Sequence, residues 1–215
     1  MFARRFVMQR PFAAKPRSIV RNSFVQVLVI TFALSCAVAT LGPSTTAWAR
    51  QIEGVEFPES TSAAGAAVNL IGVGIRTKWM TNVYAMGVYA ANAKKSSAHI
   101  VNADEGKLLW LHMLRGISGD KMRDAIDDGL EKNTSEADLA RIKADVERVK
   151  AAFPAAIAKG LVIQFAYSPA KGTTLKIGGS DKVTVPGKAF MVAMWAIWFG
   201  KSPADKGLRD DVLGG

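Results

Sequence analysis

The chain of 215 residues has little of what disulfides and metal sites need: one cysteine, Cys36, and two histidines, His99 and His112. A lone cysteine cannot form an internal disulfide. Neither histidine has a second histidine four residues away or cysteines at zinc-ligand spacing, so we expect no metal site. His112 falls within an apolar strand-like run, where we expect it to pack in the core. At this length a hydrophobic core can stabilise a domain without disulfides or bound metal ions.

Nucleotide and nucleophile motifs are absent as well. Gly72 and Gly74 begin a Gly-x-Gly, but Thr77 stands where the third glycine belongs, and a strand-like pattern follows instead of a helix. The chain contains no Walker sequence and no Gly-x-Ser-x-Gly elbow. The sequence therefore predicts no cofactor.

The amino-terminal segment has the pattern of a secretory signal. An apolar run from Phe24 to Leu41 follows a stretch with six basic residues and no acid, and Ala47-Trp48-Ala49 supplies a small-x-small cleavage pattern. We predict a signal peptide over residues 1–49, a single mature domain over 50–215, and a periplasmic or secreted protein. The alternative is an uncleaved segment that anchors the chain to the inner membrane, which would then be its only membrane contact.

Most of the basic character belongs to this segment. Without its six basic residues the net charge falls from +10 to +4. The remaining lysines and arginines are interleaved with acids and form no run of the length that nucleic-acid binding usually requires. We therefore expect no nucleic-acid partner.

The order of elements predicts an α+β domain. Strand patterns cover Val68 to Trp79, Thr81 to Ala90 and Lys107 to Leu114, the last apolar on both faces as in a central strand. Ser118 and Ser135 are placed to cap two helices with apolar stripes. After Gly160 a meander of strands is predicted, and then a nearly wholly apolar helix over Ala189 to Phe199. Such an order is typical of an antiparallel sheet with helices layered against it.

Arg76 is the most informative single residue, because it lies in the otherwise apolar strand pattern after Gly72. A guanidinium has five donors in a rigid fork and stays charged, so on a half-buried strand it needs a carboxylate, a carbonyl or a ligand. The alternative to a ligand is a structural ion pair with an acid of the chain.

Two parts of the chain resemble the chalcone isomerase family. Gly74-Ile75-Arg76 and Gly87-Val88-Tyr89 are similar to signatures of its paired strands, and residues 197–203 with 208–214 resemble the closing signature of its bacterial branch. The resemblance implies an open-faced β-sandwich, in which a large antiparallel sheet carries helices on one face and a ligand cleft lies between them. It covers residues 54 to 213.

The resemblance also implies site residues. Arg76 matches the arginine with which plant isomerases steady a substrate oxyanion. Where those enzymes have a threonine, a tyrosine, an asparagine and a second threonine, this chain has Tyr84, Met122, Gly129 and Ile197. Losing such donors commonly lowers a rate a hundredfold or so.

An arginine beside a tyrosine instead resembles the fatty-acid-binding branch of the family. We predict a non-catalytic binding protein in which Arg76 and Tyr84 hold the carboxylate of a fatty acid or similar amphipathic ligand. Met122 and Ile197 are expected at the same site. Other methionines are candidates for lining the tail path, with ordinary core packing as the alternative: Met80, Met86, Met113, Met191 and Met194. Two functions stay open beside this one. The first is an isomerase that uses Arg76 and Tyr84 on an enone or phenolic substrate. The second is an interaction module with a collapsed cleft.

Overall fold

The computed structural model describes residues 49–214, which form eleven strands and five helices. The predicted signal segment lies outside these residues except for Ala49. The strands are β1 (Ala49–Ile52), β2 (Val55–Pro58), β3 (Ser60–Ala63), β4 (Ala66–Lys78), β5 (Thr81–Ala90), β6 (Lys107–Met113), β7 (Ile117–Ser118), β8 (Ala156–Ile157), β9 (Val162–Ser168), β10 (Gly172–Ile177) and β11 (Ser180–Val185). The helices are α1 (Ser97–Asn102), α2 (Gly119–Asn133), α3 (Glu136–Ala151), α4 (Lys188–Phe199) and α5 (Lys206–Leu213).

Seven strands form one antiparallel sheet in the order β11, β10, β9, β6, β5, β4, β3. The central position of β6 agrees with its sequence, because it is apolar on both faces. Leu109, Leu111 and Met113 belong to the core on the helix side of the sheet, and Leu108 belongs to the core on the other side. The predicted α+β class, an antiparallel sheet with a helical layer, is confirmed.

The helices cover one face of this sheet. Ser118 and Ser135 cap α2 and α3 as predicted: their hydroxyls accept from the backbone N–H of Lys121 at 3.3 Å and of Asp138 at 3.2 Å. Helix α4 has nine buried residues, because it is packed between the sheet and the other helices. An apolar helix of this length is therefore a core helix.

Helix α5 lies directly against β4. A Cβ at Gly74 would be 2.6 Å from the carbonyl oxygen of Leu208, and one at Gly72 would overlap the carbonyl of Val212. The Gly-x-Gly of this strand therefore serves close packing of a helix, a role that the sequence pattern did not indicate. The sequence analysis predicted neither α5 nor the six-residue α1.

The second face of the sheet is covered by the β1–β2 hairpin. Phe57 is fully buried there and meets Trp110 edge to face, with ring centroids 6.0 Å apart. Gly87 leaves room for the Phe57 ring. Tyr89 is also on this face, where burial raises the pKa of its hydroxyl above the usual range. Tyr89 therefore packs in the core, on the face opposite the helices.

Neither histidine belongs to a metal site of the described residues. His112 was predicted to pack in the core and is only partly buried, as are Trp110 and Leu114 on the same face of β6. His99 Nε2 lies 2.8 Å from Glu105 Oε1. Within residues 49–214, no group of three or more potential metal ligands comes together. No helix in that same range has the length and apolar character needed to cross a membrane.

Candidate functional site

Arg76 and Tyr84 lie opposite each other on neighbouring strands. They are register partners in the antiparallel pair of β4 and β5, and the Arg76 Cζ is 6.0 Å from the centroid of the Tyr84 ring. A guanidinium at this distance from an aromatic face has a weakly favourable cation–π interaction. The structure thus brings together the two residues that the sequence analysis placed at the head-group site.

The Tyr84 hydroxyl is held by the last helix turn of α4. Trp198 Nε1–H donates to it at 2.7 Å, and both side chains are buried. A tyrosine hydroxyl can accept and donate at once, so this bond leaves the phenolic proton free to donate. No acceptor for that proton is found among residues 49–214. The tyrosine is therefore oriented by Trp198 while keeping one donor for a further partner.

Arg76 is half-buried, and within residues 49–214 no carboxylate lies within 4.0 Å of its guanidinium. Asp205, the N-cap residue of α5, lies near the same strand but has other partners. Asp205 accepts from the backbone N–H of Thr77 and of Leu208, each at 3.0 Å. The structural ion pair considered as the alternative for Arg76 is thus not formed by the described residues.

Met122 and Ile197 belong to the same apolar layer as Tyr84, between the sheet and the helices. Met122 lies on α2 and is 7 % exposed; Ile197 lies on α4 and is 1 % exposed. A Cβ at Gly129 would be 2.6 Å from the Ile197 side chain. The two positions where plant isomerases have an asparagine and a threonine therefore pack directly against each other here, and α2 and α4 close the space between them.

Two cavities of the described residues lie elsewhere. One, of about 370 Å³, is between α3 and α4; the other, of about 510 Å³, is formed by residues of the β3–β4 turn and of β10 and β11. None of the four predicted site residues lines either cavity. The side chains of Tyr84, Met122 and Ile197 are instead packed into a closed apolar layer.

Two details of the site escaped the sequence analysis. The contact of Trp198 with Tyr84 joins residues 114 positions apart, and the only available signal was that an indole N–H in an apolar helix requires an acceptor. Met80, expected to line the tail path, is 99 % exposed at the turn between β4 and β5. That expectation was wrong, because the strand pattern ends two residues earlier than the apolar sequence does.

The fold and this pair define the class: a seven-stranded antiparallel sheet under a helical layer, with an arginine and a tyrosine side by side on the helix-facing side of two neighbouring strands. Residues 49–214 match the chalcone isomerase-like family, and the chain belongs to that family. The resemblance seen in the sequence is thereby confirmed.

A solved structure has the same fold. It is a fatty-acid binding protein of Arabidopsis thaliana, 20 % identical in sequence, with a TM-score of 0.60 over 77 % of this chain and 96 % of that chain. At this identity the likeness shows the fold. No curated protein sequence matches the chain.

Proposed function

We propose that the protein binds a fatty acid or a similar amphipathic carboxylate, with the head group held by Arg76 and Tyr84. The observation that carries the proposal is the arrangement of this pair: a half-buried guanidinium without an acidic partner among residues 49–214, beside a hydroxyl that donates to no acceptor among the same residues. A bound carboxylate would give the guanidinium a negatively charged partner and the hydroxyl a hydrogen-bond acceptor.

The head-group chemistry follows from the donors. A guanidinium binds a carboxylate through two parallel charge-assisted hydrogen bonds, and the Tyr84 hydroxyl adds a third donor. Trp198 holds the tyrosine ring in place, so little side-chain freedom is lost when the ligand binds. Hydrogen bonds to charged groups contribute about 1.5–3 kcal/mol each, which gives Arg76 a large share of the affinity.

The apolar layer behind the pair is the proposed site for the tail. It contains five methionines that are at most 7 % exposed, namely Met86, Met113, Met122, Met191 and Met194. Because unbranched thioether side chains repack readily, this layer can open for an acyl chain without breaking the fold. The printed description of the Arabidopsis structure as a fatty-acid binding protein supports this ligand class.

The isomerase alternative has less support. It would retain Arg76 and Tyr84, but Gly129 and Ile197 offer no polar group to substrate or water and fill the space between α2 and α4.

We further propose that the protein works outside the cytoplasm, on the strength of the signal pattern in residues 1–49.

Native mass spectrometry with lipid extraction tests the proposal on protein purified from its own host. We expect a co-purifying carboxylate in the wild type that is lost in Arg76→Ala and kept in Lys171→Ala, which removes an exposed charge at the opposite end of the sheet. Absence of any adduct in the wild type, or an adduct kept by Arg76→Ala, would contradict the proposal.

A further inference from the structure

The turn between β4 and β5 exposes two large apolar side chains at once. Trp79 and Met80 form this two-residue turn and are 87 % and 99 % exposed. Among residues 49–214 they are the large hydrophobic side chains that the fold leaves exposed. Exposed apolar groups that adjoin each other mark a contact surface more often than isolated ones do.

The backbone of this turn is also unfavourable for its residues. Both positions have positive φ, 53° for Trp79 and 58° for Met80. Three other two-residue hairpins of the described chain have the same pattern of positive φ, and each has glycine at the second position: Glu53-Gly54, Ala64-Gly65 and Gly178-Gly179. A left-handed turn favours Asn-Gly or Gly-Gly and disfavours bulky side chains. Neither burial nor local conformation therefore accounts for Trp79 and Met80.

The end of the sheet that carries this turn is basic. The antiparallel order places the end of β4, the end of β6 and the starts of β9 and β11 at that same end. The cations that these strand ends carry outside the ion pairs of the described residues include Lys78, Arg115, Lys159 and Lys182. Of the acids near that end, Asp181 pairs with Lys176 at 2.7 Å, and Asp205 keeps its negative charge while accepting two backbone N–H groups. The four cations outnumber this one unpaired carboxylate, so that end of the sheet favours an anionic partner.

We propose that the Trp79-Met80 turn docks the protein on an anionic phospholipid bilayer. Tryptophan is enriched at the membrane interface, where its ring is accommodated among the headgroups, and nearby lysines are attracted to anionic lipids. Two side chains are too few for a typical protein interface of about 800 Å² per partner, whereas an apolar insertion combined with nearby basic residues supplies the two signals of a peripheral membrane contact.

This inference does not depend on the ligand. If the proposed carboxylate site is also correct, docking has a consequence for it. Arg76 is three residues before Trp79, about 10 Å along an extended strand. A docked turn therefore brings the head-group site close to the lipid surface, where an amphipathic ligand would be exchanged.

Vesicle co-sedimentation tests the proposal on the protein as its host produces it. The wild type is expected to bind vesicles of phosphatidylglycerol and phosphatidylcholine, less at high salt, and to bind pure phosphatidylcholine weakly. Trp79→Asn with Met80→Gly installs the preferred turn residues, so we expect at least tenfold weaker binding and an unchanged or higher Tm. Ala64→Asn, which creates the same Asn-Gly in the β3–β4 hairpin, is the matched control and should bind like the wild type.

A second measurement is independent of any membrane affinity of residues 1–49. The fluorescence of Trp79, taken as the difference between wild type and Trp79→Phe, should be quenched by brominated lipids in the vesicles. Unquenched Trp79, or equal sedimentation of the double variant, would overturn the proposal. Self-association that the double variant abolishes, without an effect on vesicles, would assign the turn to a second copy of the chain and overturn it too. Arg76→Ala reports separately on the carboxylate site through its bound ligand.

Discussion

The indole N–H of Trp198 donates to the Tyr84 hydroxyl at 2.7 Å, which joins helix α4 to strand β5 inside the apolar layer. The bond fixes the tyrosine beside Arg76 without using its proton. It also makes Tyr84 important for stability, because the indole has no other acceptor among the described residues.

Tyr84→Phe is therefore expected to lower the free energy of unfolding by about 1–3 kcal/mol, since it leaves a buried indole N–H unpaired. Urea unfolding measures this loss of free energy, and Trp198→Phe together with the double variant completes a double-mutant cycle. The cost of Tyr84→Phe should be much smaller in the Trp198→Phe background. Equal costs in both backgrounds would show that the two residues are not coupled.

Gly74→Ala should disturb the contact of α5 with the sheet. A Cβ there would be 2.6 Å from the Leu208 carbonyl oxygen, so we expect a loss of about 1–3 kcal/mol in unfolding free energy or displacement of the helix. Gly116→Ala is the control, because its nearest neighbour would be at 3.5 Å, an ordinary contact. Similar stability of the two variants would mean that α5 does not pack as closely as described.

Gly129→Ala tests the closure of the space between α2 and α4. The new methyl would lie 2.6 Å from Ile197, so overpacking of about 1–3 kcal/mol is expected in thermal or urea unfolding. Ile197→Ala makes room, and Gly129→Ala should then cost less. If the cost is the same with and without Ile197, the proposed contact does not exist.

Lys107 predicts a pH dependence of stability. Its side chain is fully buried, and its Nζ donates to the Ile100 carbonyl at 2.8 Å and the Val101 carbonyl at 3.4 Å at the end of α1. Burial lowers its pKa from 10.5 to about 8. Between these values the unfolded chain binds more protons than the folded one, so stability should rise from pH 8 to pH 10, by at most about 3 kcal/mol.

Urea unfolding at pH 7.5, 8.5 and 9.5 checks this slope against Lys107→Met, which should show a flatter profile. The window ends below pH 10 because Tyr167 acts in the opposite direction. Burial and its hydrogen bond to Asp104 raise the pKa of Tyr167 to about 12, which lowers stability at higher pH. A wild-type profile as flat as that of the variant would contradict the assignment.

The sequence predicted those parts of the fold that depend on local patterns. The bounds of β5 follow from its β-branched and aromatic residues, and the starts of α2 and α3 follow from the Ser118 and Ser135 caps. Helix α5 was not predicted, although Asp205 and Gly214 provide local N-cap and C-cap signals for it. It has eight residues, and its position depends on the close approach to Gly72 and Gly74, which is a tertiary contact.

The site was predictable to a similar degree. Arg76 stood out as a charge in an apolar strand, but its pairing with Tyr84 depends on a β-bulge between Arg76 and Thr77, because the regular hairpin register would place Val83 opposite it. The bond from Trp198 and the contact of Gly129 with Ile197 each join distant parts of the chain, so no local pattern reports them. The exposure of Met80 was missed because a left-handed turn without glycine has no sequence signal.

The most direct test of the central claim is a calorimetric comparison of a long-chain carboxylate with the alcohol of equal length, on wild type and Arg76→Ala. We predict that the wild type prefers the carboxylate about tenfold to a hundredfold, as a charge-assisted pair implies, and that Arg76→Ala binds the two ligands equally. No preference in the wild type, or the same preference in Arg76→Ala, would contradict a head-group site at Arg76.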